Sequence, residues 1–136
     1  MSEAIEHLQK GLSALPLPDG WSHQYITSQD AEFFAEVGGQ RLEVERRGVF
    51  VSLAFGPTLW EDMPLRTIDD ADRLLAACDA ILDGRYSETR RRNWFWQSIR
   101  FRLELSSRGF EESWTDVNYG WSGRGPGRGA LAKKST

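Results

Sequence analysis

Between residues 21 and 55, four runs of alternating character, WSHQYITS, AEFFAEV, QRLEVER and VFVSLAF, are separated by the dipeptides Gln29-Asp30, Gly38-Gly39 and Arg47-Gly48. Two-residue connections containing glycine suit antiparallel hairpins, because the favoured turns place one or both central residues at positive φ. The register follows from the loops. A Gly38-Gly39 loop sets Glu36 opposite Arg41, Ala35 opposite Leu42 and Phe33 opposite Val44. An Arg47-Gly48 loop sets Val44 opposite Val51 and Leu42 opposite Leu53. One face then gathers Phe33, Ala35, Leu42, Val44, Val51 and Leu53; the other carries Glu32, Phe34, Glu36, Arg41, Glu43, Glu45, Phe50 and Ser52. A slip of one residue exchanges the two sets, so agreement across both hairpins predicts a four-stranded antiparallel meander.

Such a sheet needs a cover for its apolar face, and two amphipathic segments supply one. Ile5, Leu8, Leu12 and Leu15 recur at helical spacing over residues 3–15, with Ser2 as N-cap and Pro16 and Pro18 as stops. The prolines in GPTLWEDMPLR indicate a loop, followed by a helix over 69–83 that Thr67 or Asp69 caps and Gly84 ends. Its stripe is Leu74, Leu75, Cys78, Ile81 and Leu82. Cys78, set in that stripe, reads as a buried structural thiol rather than a nucleophile.

Past Gly84 the pattern returns to period two. IRFRLEL places Ile99, Phe101, Leu103 and Leu105 on one side and Arg100, Arg102 and Glu104 on the other. RYSETRR reads as a preceding strand and FEESWTDV as a returning one; a helix over 88–103, using Phe95, Ile99 and Leu103, is the competing reading. From Gly120 onward GWSGRGPGRGALAKKST has no periodicity and predicts a flexible basic tail. The expectation is an α+β chain with one domain over 1–119 and a Gly/Arg/Lys-rich tail over 120–136. Its order is amphipathic helix, four-stranded meander, second helix, then two to three strands.

Charge divides along the chain. Residues 1–84 hold 15 acids and 6 bases, and residues 85–136 hold 5 acids and 11 bases. Such asymmetry marks either an anionic partner or two halves that attract each other across the fold. The second reading predicts that the strand bearing arginines and tryptophans covers the acidic outer face of the meander, with guanidinium groups stacked on rings. The first gives two candidate surfaces. A protein partner would meet Phe34, Phe50, Trp60 and Trp96, from a chain with 6 tryptophans, a residue type enriched in binding hot spots. Single-stranded nucleic acid would meet Arg90, Arg91, Arg92, Trp94, Trp96, Arg100 and Arg102 with the basic tail, bases stacking on rings and arginines holding phosphates.

Catalytic signatures are missing. One cysteine excludes an internal disulfide and a thiolate-rich zinc site. His7 and His23 have no third ligand at metal spacing, and His23 is expected opposite Glu36. Glu43 and Glu45 share a face, as exposed strand residues commonly do, and GRGPGRG lacks the lysine–serine ending of a phosphate loop. The acids of Trp60-Glu61-Asp62 could receive a cationic group. No stretch reads as a signal peptide or a membrane span, which predicts a soluble, cytoplasmic protein. The function expected is that of a non-enzymatic protein-binding domain (an immunity, inhibitor or chaperone-like factor) without a metal or cofactor. The alternative is single-stranded nucleic-acid binding.

Overall fold

The computed structural model describes residues 3–26, 31–56, 58–121 and 132–135. Helix α1 (Glu3–Ser13) precedes strands β1 (Ser22–Ile26), β2 (Ala31–Val37), β3 (Gln40–Arg47), β4 (Phe50–Phe55) and β5 (Thr58–Pro64). Helix α2 (Ile68–Leu82) follows, then β6 (Tyr86–Arg92), β7 (Trp96–Leu105), β8 (Glu112–Trp121) and β9 (Ala132–Ser135). Strands β1 to β5 form one antiparallel sheet in chain order, and β6 to β9 form a second. This is the predicted α+β order, with strand rather than helix over 96–105. Ser2, the Gln29-Asp30 connection and residues 122–131 of the expected tail lie outside the described residues. Strand β9 runs beside β8.

The Gly38-Gly39 hairpin forms in the predicted register, with Glu36 opposite Arg41 and Phe33 opposite Val44. Its glycines have φ of +52° and +83°, the left-handed pair that a type I′ turn requires. The next hairpin corrects the expectation. Val44 pairs with Leu53 and Leu42 with Phe55, two residues from the predicted partners. Gly48, at φ +61°, takes the first loop position, so the loop is Gly48-Val49 and Arg47 joins the ladder opposite Phe50. A shift by two preserves faces, and all six predicted core residues of the meander are buried. His23 pairs with Ala35, not Glu36, which stands opposite Ser22.

Strand β5 occupies the segment expected to be a loop. Its Thr58 and Trp60 are buried while Glu61 and Asp62 are exposed. Pro64 is its last residue, at the edge of the sheet, where a missing N–H costs least. Helix α2 starts in a capping box. The Thr67 side chain accepts from the Asp70 N–H at 3.1 Å, and Asp70 Oδ2 accepts from the Thr67 and Arg66 N–H groups at 3.1 and 2.9 Å. These bonds, the one from Arg66 foremost, hold the Asp70 carboxyl below its ordinary range.

One core joins all of this. Leu8 and Leu12 of α1, the α2 stripe, the inner face of the meander and Phe101, Leu103 and Leu105 of β7 form a single buried cluster. The helices meet closely at Gly11, where a Cβ would fall 2.3 Å from Leu75 Cδ1. An aromatic layer bonds sheet to sheet. Phe101 lies 6.0 Å from Trp60, 6.0 Å from Phe55 and 5.2 Å from Tyr86, and Trp60 lies 5.5 Å from Trp114. Beside it Asp116 of β8, fully buried, accepts from Thr58 Oγ1 at 2.5 Å and from the Leu59 N–H at 3.2 Å.

Candidate binding surface

Because the two sheets share a core through their inner faces, their charged faces lie on the outside. The predicted covering of the acidic meander face by the arginine–tryptophan strand is therefore corrected. Charges are answered two residues away on the same strand, where side chains share a face. Arg41 pairs with Glu43 at 3.2 Å, Arg47 with Glu45 at 2.6 Å, Arg90 with Glu88 at 3.4 Å and Arg102 with Glu104 at 2.6 Å. No ion pair between described residues links one outer face to the other.

The outer face of the second sheet carries Arg91, Trp96, Ser98, Arg100 and Arg102, with Tyr119 opposite Ser98 on β8. Trp96 and Tyr119, 43% and 38% exposed, lie 5.9 Å apart at 54°. Arg102 is committed locally. It donates to Glu104 and, at 3.1 Å, to Ser113, whose hydroxyl donates to Glu104 at 2.8 Å. These contacts, the Ser113 hydroxyl foremost, lower the Glu104 pKa. Arg91 and Arg100 make no ion pair among the described residues.

At the end of this face the β6–β7 turn displays two more rings. Asn93 Oδ1 accepts from the Phe95 and Trp96 N–H groups at 2.9 and 2.8 Å, and the Asn93 N–H donates to the Trp96 carbonyl at 3.0 Å. This side-chain turn fixes the backbone while Trp94 is 84% and Phe95 56% exposed, their ring centroids 4.8 Å apart.

The residues predicted to meet a protein do not share one surface. Phe34 is half-buried, with Arg41 Cζ 4.0 Å from its ring centre. Phe50, 42% exposed, lines an open concavity of about 420 Å³ on the outer face of the first sheet. Ala54 and Leu59 share that lining with Glu43, Glu45, Glu61 and Asp62, and with one base, Arg47. Trp60 is corrected to a core residue, turned inward by the parity of β5. Trp96 belongs to the other sheet. The nucleic-acid set divides as well. Arg91, Trp96, Arg100 and Arg102 share the outer face, whereas Arg90 and Arg92, opposite Ile99 and Gln97, fall on the other parity. Trp94 stands at the tip.

Sequence reasoning missed Phe95, Tyr119 and the Asn93 pin. An asparagine opening an aromatic triplet between two strands is the signal that marks the turn. Elsewhere, His7 Nε2 lies 2.7 Å from Asp72 and joins the helices. The Cys78 thiol is buried, and burial pushes its pKa up to about 12. Among the described residues no three His, Cys, Asp or Glu side chains gather as a metal centre, and no helix is long and apolar enough to cross a membrane. Comparisons with protein-family models, with curated proteins and with solved structures returned no match.

Proposed function

We propose that the protein is a non-enzymatic binding domain whose recognition surface is the outer face and tip of the β6–β7 hairpin. The observation that carries this reading is the exposure of Trp94, Phe95 and Trp96, at 84%, 56% and 43%, on a turn braced by Asn93. A contiguous patch of large rings on a braced backbone is poorly explained by stability and suits a hot spot, where ordering costs little on binding. Arg91, opposite Ser98 and close to Trp96, and Arg100, further along the same face opposite Thr89, favour a protein partner that offers carboxylates around an apolar centre. A regulatory role as an immunity, inhibitor or chaperone-like factor in the cytoplasm is consistent with this surface. Affinity capture with the wild-type chain and with a Trp94→Ala, Phe95→Ala variant tests the reading. The variant is expected to keep the far-UV and near-UV spectra of the fold and to lose the captured protein. Equal capture by both chains would remove the basis of the proposal.

A second reading is supported by Trp96, Tyr119, Arg91 and Arg100 sharing one open sheet face, the chemistry of a base-stacking platform. It is the weaker reading, because Arg102 is engaged by Glu104 and Arg90 and Arg92 lie on the other parity. Nuclease treatment before capture separates the two. A partner that persists is bound directly, and one that disappears was bridged by nucleic acid.

A further inference from the structure

The outer faces of the two sheets are opposite in shape and in charge. On the first sheet Phe50, Ala54 and Leu59 floor a concavity whose acids, Glu43, Glu45, Glu61 and Asp62, outnumber the single arginine in its lining, Arg47. Glu43 and Glu45 have arginine partners, but Glu61 and Asp62 make no ion pair among the described residues. The second sheet ends in a tip of two exposed rings, and on the outer face leading to it Arg91 and, further along, Arg100 make no ion pair among the described residues. Each outer face thus offers two uncommitted charges beside apolar surface, of opposite sign.

One chain cannot bring these surfaces together, since each sheet turns its inner face to the shared core and its outer face away from it. We infer that the Trp94–Phe95 tip of one copy, with Arg91 and Arg100, docks in the Phe50–Glu61–Asp62 concavity of a second copy. This inference rests on the reading of the hairpin as the recognition surface and names its partner. The first sheet already holds a small example of the required contact. Arg41 lies over the Phe34 ring at 4.0 Å, which shows this face receiving a guanidinium on an aromatic plane. Phe50, exposed beside acids, offers a second copy the same seat.

Tip and concavity are different surfaces; exchanged reciprocally about a two-fold axis they close as an isologous dimer, and used once per copy they make a heterologous contact that propagates head to tail. The charges at its rim are solvent-accessible, so association weakens as salt screens them.

Sedimentation velocity of the full chain over a concentration series, at about 50 mM and about 500 mM salt, reads the prediction directly. The wild-type chain is expected to self-associate at low salt and to dissociate at high salt. Two variants disable the halves separately: Trp94→Ser with Phe95→Ser for the tip, and Glu61→Lys with Asp62→Asn for the concavity. Asparagine is chosen at 62 because Asp62 has φ +53°, which asparagine tolerates. Each variant alone should lose association at least roughly tenfold, the scale of a hot-spot truncation. An equimolar mixture should recover a heterodimer, because each chain supplies the half that the other lacks. A concavity variant that associates as well as wild type would mean tip-to-tip contact and overturn the inference. So would a mixture that stays monomeric. A wild-type chain that is monomeric throughout removes the second copy as occupant, while capture of another protein by the hairpin is read independently with the tip variant. Should the tip variant unfold, Arg91→Glu with Arg100→Glu reads the same face through its charge and is expected to abolish association.

Discussion

The two sheets are built on the same alternation yet treat their exposed rings differently. On the first, Phe34 lies within a strand and finds cover from Arg41, a neighbour on the same face. On the second, Trp94 and Phe95 sit in a turn, where no adjacent strand can supply a lid, and among the described residues each ring has only the other as an aromatic neighbour. A ring inside a ladder has same-face neighbours as a matter of geometry. One at a hairpin tip has them only if another element or another molecule arrives. Cover is thus built into the first sheet, and on the second the proposed partner would supply it.

The contrast breaks most readily at the joint both sheets depend on. Phe101→Ala removes the ring that touches Phe55, Trp60 and Tyr86, and is expected to cost about 3–5 kcal/mol in urea unfolding. An effect under about 1 kcal/mol would mean that the aromatic layer is not what couples the sheets. Next comes Asp116→Ala, which removes the carboxylate that accepts from the buried Thr58 hydroxyl and the half-buried Leu59 N–H. Its expected cost is roughly 1–3 kcal/mol for each of the two bonds removed, partly recovered in Asp116→Asn. Loss of a cap ranks third. Thr67→Ala should lower stability by about 1 kcal/mol. Asp70 adds a pH signature to that cap. Its folded pKa lies below the ordinary 3.8, so its contribution is fully present above that value and is lost as pH falls through the depressed one. Acid titration of wild type against Asp70→Asn should therefore show the two stabilities converging at low pH. Smallest is the tip itself. Trp94→Ala with Phe95→Ala should move stability by no more than about 0.5 kcal/mol, since exposed rings leave no cavity behind. A large loss would make the tip a structural element and remove the contrast between the sheets.

What was legible in the sequence was whatever a local period encodes. The α2 stripe, the inner set from Phe33 to Leu53 and the parity of 99–105 follow from neighbours a few residues apart, and all are buried as predicted. Register was less legible. Moving one glycine from the second loop position to the first slid β3 against β4 by two residues without exchanging faces. Strand β5 was hidden by its terminal proline, though Thr58 and Trp60 already alternate with Leu59 and Glu61. The mutual arrangement of the sheets was not legible at all. Opposite net charges suggested that the halves attract, but Arg41, Arg47, Arg90 and Arg102 each find a carboxylate two residues away. Exposed pairs of this kind contribute little, and solvent and salt screen the remaining surface charges over the distance between the two outer faces. Burial of rings decided the docking instead. For the candidate surface, the arginines and two of its tryptophans were named from the sequence. Phe95, Tyr119 and the division of the arginines by parity needed coordinates.

The bond from Thr58 to Asp116 spans 58 residues. During synthesis the leading meander therefore emerges with a hydroxyl and an amide whose eventual acceptor has yet to leave the ribosome. Until β8 arrives, β5 must keep those groups wetted at a ragged margin. Burial of that end of β5 is thus deferred until β8 is made, and a chain cut short before β8 would leave the hydroxyl and the amide to water.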